Sequence, residues 1–205
     1  MLVAYRGGVV RRDEIYEELW PDEDPATLAN RFSVTLRAVR RALDPDQRRP
    51  IGAYVTFRDG VVRLRTDEVE VDLENFLASA NAVIRAEEAA PARVLSALDL
   101  WTGAPFADEP DADWARPVRA SVAATARQLL LMRIDQCAAA GDWVESASRR
   151  RQLIALDPLD DAAHLGLVAD LHRAGVASEA DQAWRDYLST MADLGLQAAP
   201  DPRGD

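Results

Sequence analysis

The sequence predicts a mainly α-helical protein in two parts: a helix pair closed by a small β-hairpin, then a run of stacked helical pairs. Three observations predict it. Apolar residues recur at helical spacing along residues 25–43, just ahead of a segment that alternates like a strand pair around Asp59-Gly60. Beyond residue 71 helical spacing returns and continues almost to the end. Gly141 and Gly175, each following an alanine at the close of a helical stretch, stand 34 residues apart, the mark of a repeated helix pair.

Composition sets the class. Of 205 residues, 48% are hydrophobic and 29% charged, a globular profile rather than a disordered or membrane one. No apolar run reaches the ~18 residues of a membrane span, and no basic-then-apolar secretory leader opens the chain. A cytoplasmic location is the expectation. The lone cysteine, Cys137, excludes an intrachain disulfide and a cysteine metal cluster. All 24 basic residues are arginine, whose forked guanidinium makes hydrogen bonds that lysine cannot. The net charge of -11 is unevenly spread: residues 1–65 hold 12 Arg against 10 acids (+2), and residues 66–205 hold 12 against 25 (-13). The acidity of the later part does not argue against a phosphate-binding surface in the first, because that depends on local positive charge.

In "RRDEIYEELWPD", Ile15, Leu19 and Trp20 give helical spacing, acids in the first turn suit the helix dipole, and Pro21 ends the helix. Asp24 then caps a second helix, with Pro25 at its first position, and "DPDQRRP" closes it after about Leu43. At about 100° per residue, Leu28, Phe32, Leu36, Val39 and Leu43 fall in one narrow buried sector. Asn30, Arg37 and Arg41 lie opposite with Val34, flanked by Ser33 and Arg40. No acid occurs between residues 26 and 43, whereas an ordinary solvated helix face mixes both signs.

In "AYVTFRDGVVRLR", Asp59-Gly60 is a favoured two-residue hairpin turn. Pairing outward sets Arg58 against Val61, Phe57 against Val62, Thr56 against Arg63 and Val55 against Leu64, so apolar and polar pairs fall on opposite faces. Helix, turn, basic-faced helix and a hairpin with arginine at its tip is the order of a winged helix. Its second helix can enter a major groove of double-stranded DNA while the wing touches neighbouring backbone or minor groove.

The stretch "VVRRDEIYEELWPDEDPATLANRFSVTLRAVRRAL" resembles the winged helix of response-regulator type, notably in "RDEI–ELW" and "VRRAL". Asn30, Arg37 and Arg41 are then expected to face the groove. Arg31, Ser33, Thr35 and Arg40 are expected at base edges or phosphates, and Arg58 at the wing; Thr35 enters mainly through the resemblance, since its angle lies nearer the buried stripe. That family begins with a small antiparallel sheet and a full first helix. Here "MLVAY" supplies only about the last turn of such a helix, so the expectation is a truncated winged helix in a fragment of a longer polypeptide.

Later, Phe76, Ala80, Val83 and Ile84 mark one helix and Val94, Leu95, Leu98 and Trp101 the next, stopped by Gly103 and Pro105. A loop, "GAPFADEPDADW", precedes a long helix from about Trp114 to Ala140. The repeat that follows is degenerate: Ala147 has no counterpart at Asp181, with Ala180 one residue away. Stacked pairs of this kind bury their small residues and leave a concave surface for a partner. "VDLENF", "ALDLWTGAPFADEPDADWARPVRASV", "AAAGDWVESASRRRQLIALDPLDDAAHLGLVADLHRAG" and "LGLQAAPD" look like the bacterial transcriptional activator domain, which follows a winged helix in SARP-type regulators. This resemblance implies a tetratricopeptide-like α-helical repeat domain that serves homodimerisation, contacts with transcription machinery, or signal relay. The expected division is 1–67 for the winged helix-turn-helix and 68–205 for the activator domain.

Chemistry is sparse. His164 and His172 stand eight apart without a cysteine nearby, and two ligands do not make a zinc site. No phosphate-cradling or nucleophile motif occurs. No catalytic residue, metal or cofactor is expected, and no membrane partner. "SRRRQ" at 148–152 reads as a helix face paired with acids, and Trp101, Trp114, Trp143 and Trp184 as packing residues. The rival reading is a protein-interaction or signal-relay module of a larger regulator, one carrying a nucleotide-binding domain for example, in which the winged helix is a non-DNA-binding remnant.

Overall fold

The computed structural model describes residues 1–5 and 7–204, and the chain divides into two compact units. Met1–Asn75 with Ala104–Ala120 form one, and Phe76–Gly103 with Ser121–Asp205 the other. Among the described residues there are eight α-helices and three strands. None of the helices is long and apolar enough to cross a membrane.

In the first unit, β1 (Val9–Arg11) leads into α1 (Arg12–Leu19) and α2 (Pro25–Leu43), followed by β2 (Val55–Arg58) and β3 (Val61–Leu64). Glu14 accepts the Arg11 backbone N–H at 3.2 Å and so caps the start of α1. Asp24 accepts the Ala26 N–H at 2.9 Å, ahead of Pro25, as the sequence predicts; such a cap contributes about 1 kcal/mol. The hairpin has the predicted register, from Arg58↔Val61 to Val55↔Leu64. Asp59 and Gly60 both hold positive φ, 51° and 75°, the conformation a two-residue turn needs to match strand twist. β1 adds to the free edge of β3, giving the antiparallel order β1-β3-β2.

The inner face of this sheet presents Val10, Val62, Val55 and Leu64 to Ile15 of α1 and to Phe32 and Leu36 of α2. Phe32 meets Phe57 and Tyr16 edge-on, with ring centroids 4.9 and 5.8 Å apart. Each such buried side chain contributes about 1.5–3 kcal/mol. Of the predicted stripe, Phe32 and Leu36 are buried, while Leu28, Val39 and Leu43 are half-buried. For Val39 and Leu43 the reason is local: both line, with Phe32 and Leu36, a groove of about 530 Å³ on this side of α2. Met1, Leu2 and Val3 line it too, in a single turn closed by the Ala4 N–H on the Met1 carbonyl at 2.9 Å.

Part of the cover comes from residues 104–120, through Phe106 and Trp114, which stack edge-on at 5.0 Å. Arg119 holds that segment. Its guanidinium donates to the carbonyls of Pro105 (3.1 Å), Phe106 (2.8 Å) and Pro110 (2.9 Å), and also to that of Glu109. These bonds stabilise a loop in which Phe106 sits at a φ of 57°. Arg119→Ala is expected to destabilise this unit by roughly 2–3 kcal/mol, since hydrogen bonds to a charged group are the stronger kind. Denaturant unfolding followed through tryptophan fluorescence checks it; an unchanged midpoint would refute the anchoring role.

The second unit holds α3 beyond Asn75 (the helix spans Asp72–Ile84), α4 (Pro91–Asp99), most of α5 (Arg116–Ala140), α6 (Trp143–Leu156), α7 (Asp161–Arg173) and α8 (Ala177–Asp193). α7 packs against both α6 and α8. Gly141 and Gly175 end α5 and α7 in the same way, at φ 71° and 77°. The next residue's N–H closes the helix, Asp142 on Cys137 and Val176 on Leu171, at 2.9 and 3.0 Å. The in-register small residues are Ser146 and Ala180, both wholly buried, so the repeat is regular one position ahead of Ala147. Ser146 keeps its hydroxyl satisfied by donating to Asp170 at 2.6 Å.

The "SRRRQ" run is paired residue by residue: Arg149 with Glu145 at 2.7 Å, Arg150 with Asp170 at 2.6 Å and Arg151 with Glu179 at 2.6 Å. His164 is buried with Nε2 2.9 Å from the Pro158 carbonyl, and His172 is exposed. Tyr187 is wholly buried; its hydroxyl donates to Asp161 and accepts the Ala199 N–H at 2.9 Å, tying the C-terminal tail to α8.

Burial and the Asp161 bond push the Tyr187 phenol above its usual value of 10. A raised folded pKa gives stability that is complete below the unfolded value and is lost as pH rises from it toward the folded one. Stability should therefore fall as pH climbs past about 10, and less steeply in Tyr187→Phe. Unfolding midpoints measured from pH 9 to 11.5 test this, and equal slopes for the two proteins would contradict it.

Candidate nucleic-acid interface

The predicted face of α2 is solvent-facing. Asn30, Ser33, Val34, Arg37 and Arg41 are all exposed, Val34 by 56%. Asn30, Arg37 and Arg41 make no side-chain hydrogen bond or ion pair among the described residues, and Arg58 at the wing is likewise exposed and unpaired. The helix can leave these guanidiniums free because it carries no acid of its own.

The other expected contacts are tied down to different degrees. The Ser33 hydroxyl donates to the Ala29 carbonyl one turn back, at 2.8 Å. Arg40 is half-buried and its Nε donates to the Val55 carbonyl at 3.0 Å, joining α2 to the wing strand. Arg31 pairs with Glu23 and lies over the Trp20 ring, 5.4 Å from its centroid. Thr35 stands on the other side of α2, in the lining of the apolar groove, as its helical angle indicates.

Two arginines outside the expected set share the wing's outer face. Register places Arg11 and Arg58 on either side of Val61, and Arg63 between Val9 and Thr56. Both Arg11 and Arg63 are exposed and unpaired among the described residues. The alternation of the hairpin marks Arg63 in sequence; the position of Arg11 depends on β1 joining β3, which no local pattern announces. Among the described residues no cluster of three His, Cys, Asp or Glu side chains is placed to hold a metal ion.

A helix pair backed by a three-stranded sheet, in one chain with stacked helical pairs, is a winged-helix arrangement joined to helical repeats. Residues 71–203 match the family described as the bacterial transcriptional activator domain, and the chain belongs to it. That family is of the transcriptional-activator type. The chain is 28% identical over 205 residues to the regulatory protein AfsR of Streptomyces coelicolor, a match covering 97% of this chain and 20% of that protein. The chain thus spans about a fifth of that relative's length. Among solved structures it superposes on Mycobacterium tuberculosis EmbR, there in complex with a low affinity phosphopeptide. The TM-score is 0.69 at 20% identity, over 99% of this chain and 55% of that one. At that identity the likeness is one of fold.

Proposed function

We infer that the chain is the DNA-reading and relay part of a cytoplasmic transcriptional activator. α2 enters the major groove with Asn30, Arg37 and Arg41 toward base edges and phosphates, Ser33 stands at its edge, and Arg58 meets the backbone from the wing. The helical repeats of the second unit contact transcription machinery or another protein. The observation that carries the reading is the acid-free face of α2, on which Arg37 and Arg41 are exposed and without a partner among the described residues, followed in the chain by a wing with arginine at its tip. Free arginines at that spacing suit phosphates, which dominate affinity for duplex DNA.

The test is anisotropy titration of a labelled duplex of about two helical turns against the chain at rising salt. Binding is expected at low salt, with the logarithm of affinity falling linearly against the logarithm of salt by about 0.9 for each phosphate engaged. No binding at low salt would favour a protein-interaction module instead.

A further inference from the structure

The arginines of α2 differ in how they are held. Arg37 and Arg41 project freely, but Arg31, nearly two turns into the same helix, is engaged by two residues. One carboxylate oxygen of Glu23 accepts from Arg31 Nη1, and the other lies 3.2 Å from the Thr27 hydroxyl, whose single proton is shared with the nearer Asp24 carbonyl at 2.9 Å. The guanidinium carbon lies over the indole of Trp20, 5.4 Å from the ring centroid. Trp20 is itself backed by Tyr16, with ring centroids 6.3 Å apart. The Nε and Nη2 groups have no protein partner among the described residues, and the side chain stays half exposed. An arginine engaged at Nη1 and set over an indole keeps the Nε and Nη2 edge, a fork of two parallel N–H groups, open, the geometry that takes two oxygens of one phosphate.

We propose that Glu23 and Trp20 are positioning residues that hold the Arg31 guanidinium with its free fork toward a single DNA phosphate. Ordering a long side chain before binding removes an entropic cost from the bound state, so an acid at the edge of a DNA-binding face strengthens binding here. This runs against the ordinary electrostatic expectation, in which removing a carboxylate near phosphates tightens the complex. The proposal rests on the DNA-binding reading above.

The experiment is a double-mutant cycle on the whole chain, measured by anisotropy with a labelled duplex over a range of salt. Arg31→Ala is expected to weaken binding about 3- to 10-fold and to reduce the salt slope by about 0.9, the loss of one phosphate contact. Glu23→Gln is expected to weaken binding about 2- to 5-fold in the native background, and to leave it equal or slightly tighter in the Arg31→Ala background. Trp20→Leu, which changes no charge, should weaken binding to a similar degree, with thermal unfolding confirming the fold.

If Glu23→Gln tightens binding alike in both backgrounds, Glu23 is only a repelling charge and the proposal fails. An unchanged salt slope in Arg31→Ala overturns it as well, even while the native chain binds DNA. Absence of binding by the native chain removes the DNA reading itself, and this proposal with it.

Discussion

Asp170→Ala is expected to destabilise the second unit by about 3–5 kcal/mol, the usual cost of stranding a buried charge. Asp170 on α7 is 1% exposed and accepts three donors: the Ser146 hydroxyl and Arg150 Nε, both at 2.6 Å, and Arg173 Nη1 at 3.3 Å. Two of these come from α6, so the carboxylate clamps neighbouring helices of the repeat. Gly166 belongs to the same arrangement, because a Cβ there would lie 2.1 Å from Arg150 Nη1. The bare backbone at that position lets the guanidinium cross α7 to reach its acid. Removing the carboxylate leaves Arg150 mostly buried with no counter-charge and leaves the wholly buried Ser146 hydroxyl without an acceptor. For a unit of this size the transition midpoint should drop by roughly 13–21 °C. Arg150→Met combined with Asp170→Ala should recover much of the loss, since an apolar replacement of a buried pair is often neutral. Calorimetry of both variants decides it. A drop under 2 °C for the single change, or no recovery in the double, would show that the clamp does not carry this load.

Arg37→Ala with Arg41→Ala is expected to weaken duplex binding about 10- to 100-fold at low salt and to lower the salt slope by nearly 2. Thermal stability should hardly change. The asymmetry follows from the environment of the two side chains: both are exposed and unpaired among the described residues, so truncation costs little within the protein. Arg40 gives the contrast. Its Nε supports the Val55 carbonyl, so Arg40→Ala should lower stability as well as affinity. The same titration read on these variants separates the two classes of arginine. An unchanged slope in the double variant would mean that α2 does not meet phosphates.

Much of the architecture was legible in the sequence because the signals are local. The α2 stripe, its Asp24-Pro25 start and the Asp59-Gly60 turn each depend on residues within a few positions of one another. The hairpin register followed from the turn and the alternation together, since an alternating strand slipped by one residue would expose Val55 and Val62. The glycine spacing of the repeat was equally visible. Its small-residue register was not, because Ser146 is polar by type and becomes a core residue only by bonding to Asp170.

The candidate site divides along the same line. Sequence by itself determined that α2 has an acid-free arginine face and that a wing follows it, since both rest on periodicity and composition. Tertiary structure decided which arginines are free to act: Arg40 is engaged by a strand 15 residues away, and Arg31 by Glu23 and Trp20. It also decided that Thr35 belongs to a groove, that Arg11 shares the wing's outer face with Arg58 and Arg63, and that residues 104–120 complete the first unit across an intervening stretch of chain. The physical reason is common to all of these. Periodicity tells which way a side chain points from its own helix or strand, but its hydrogen-bond partner and its burial are set by residues that only folding brings near.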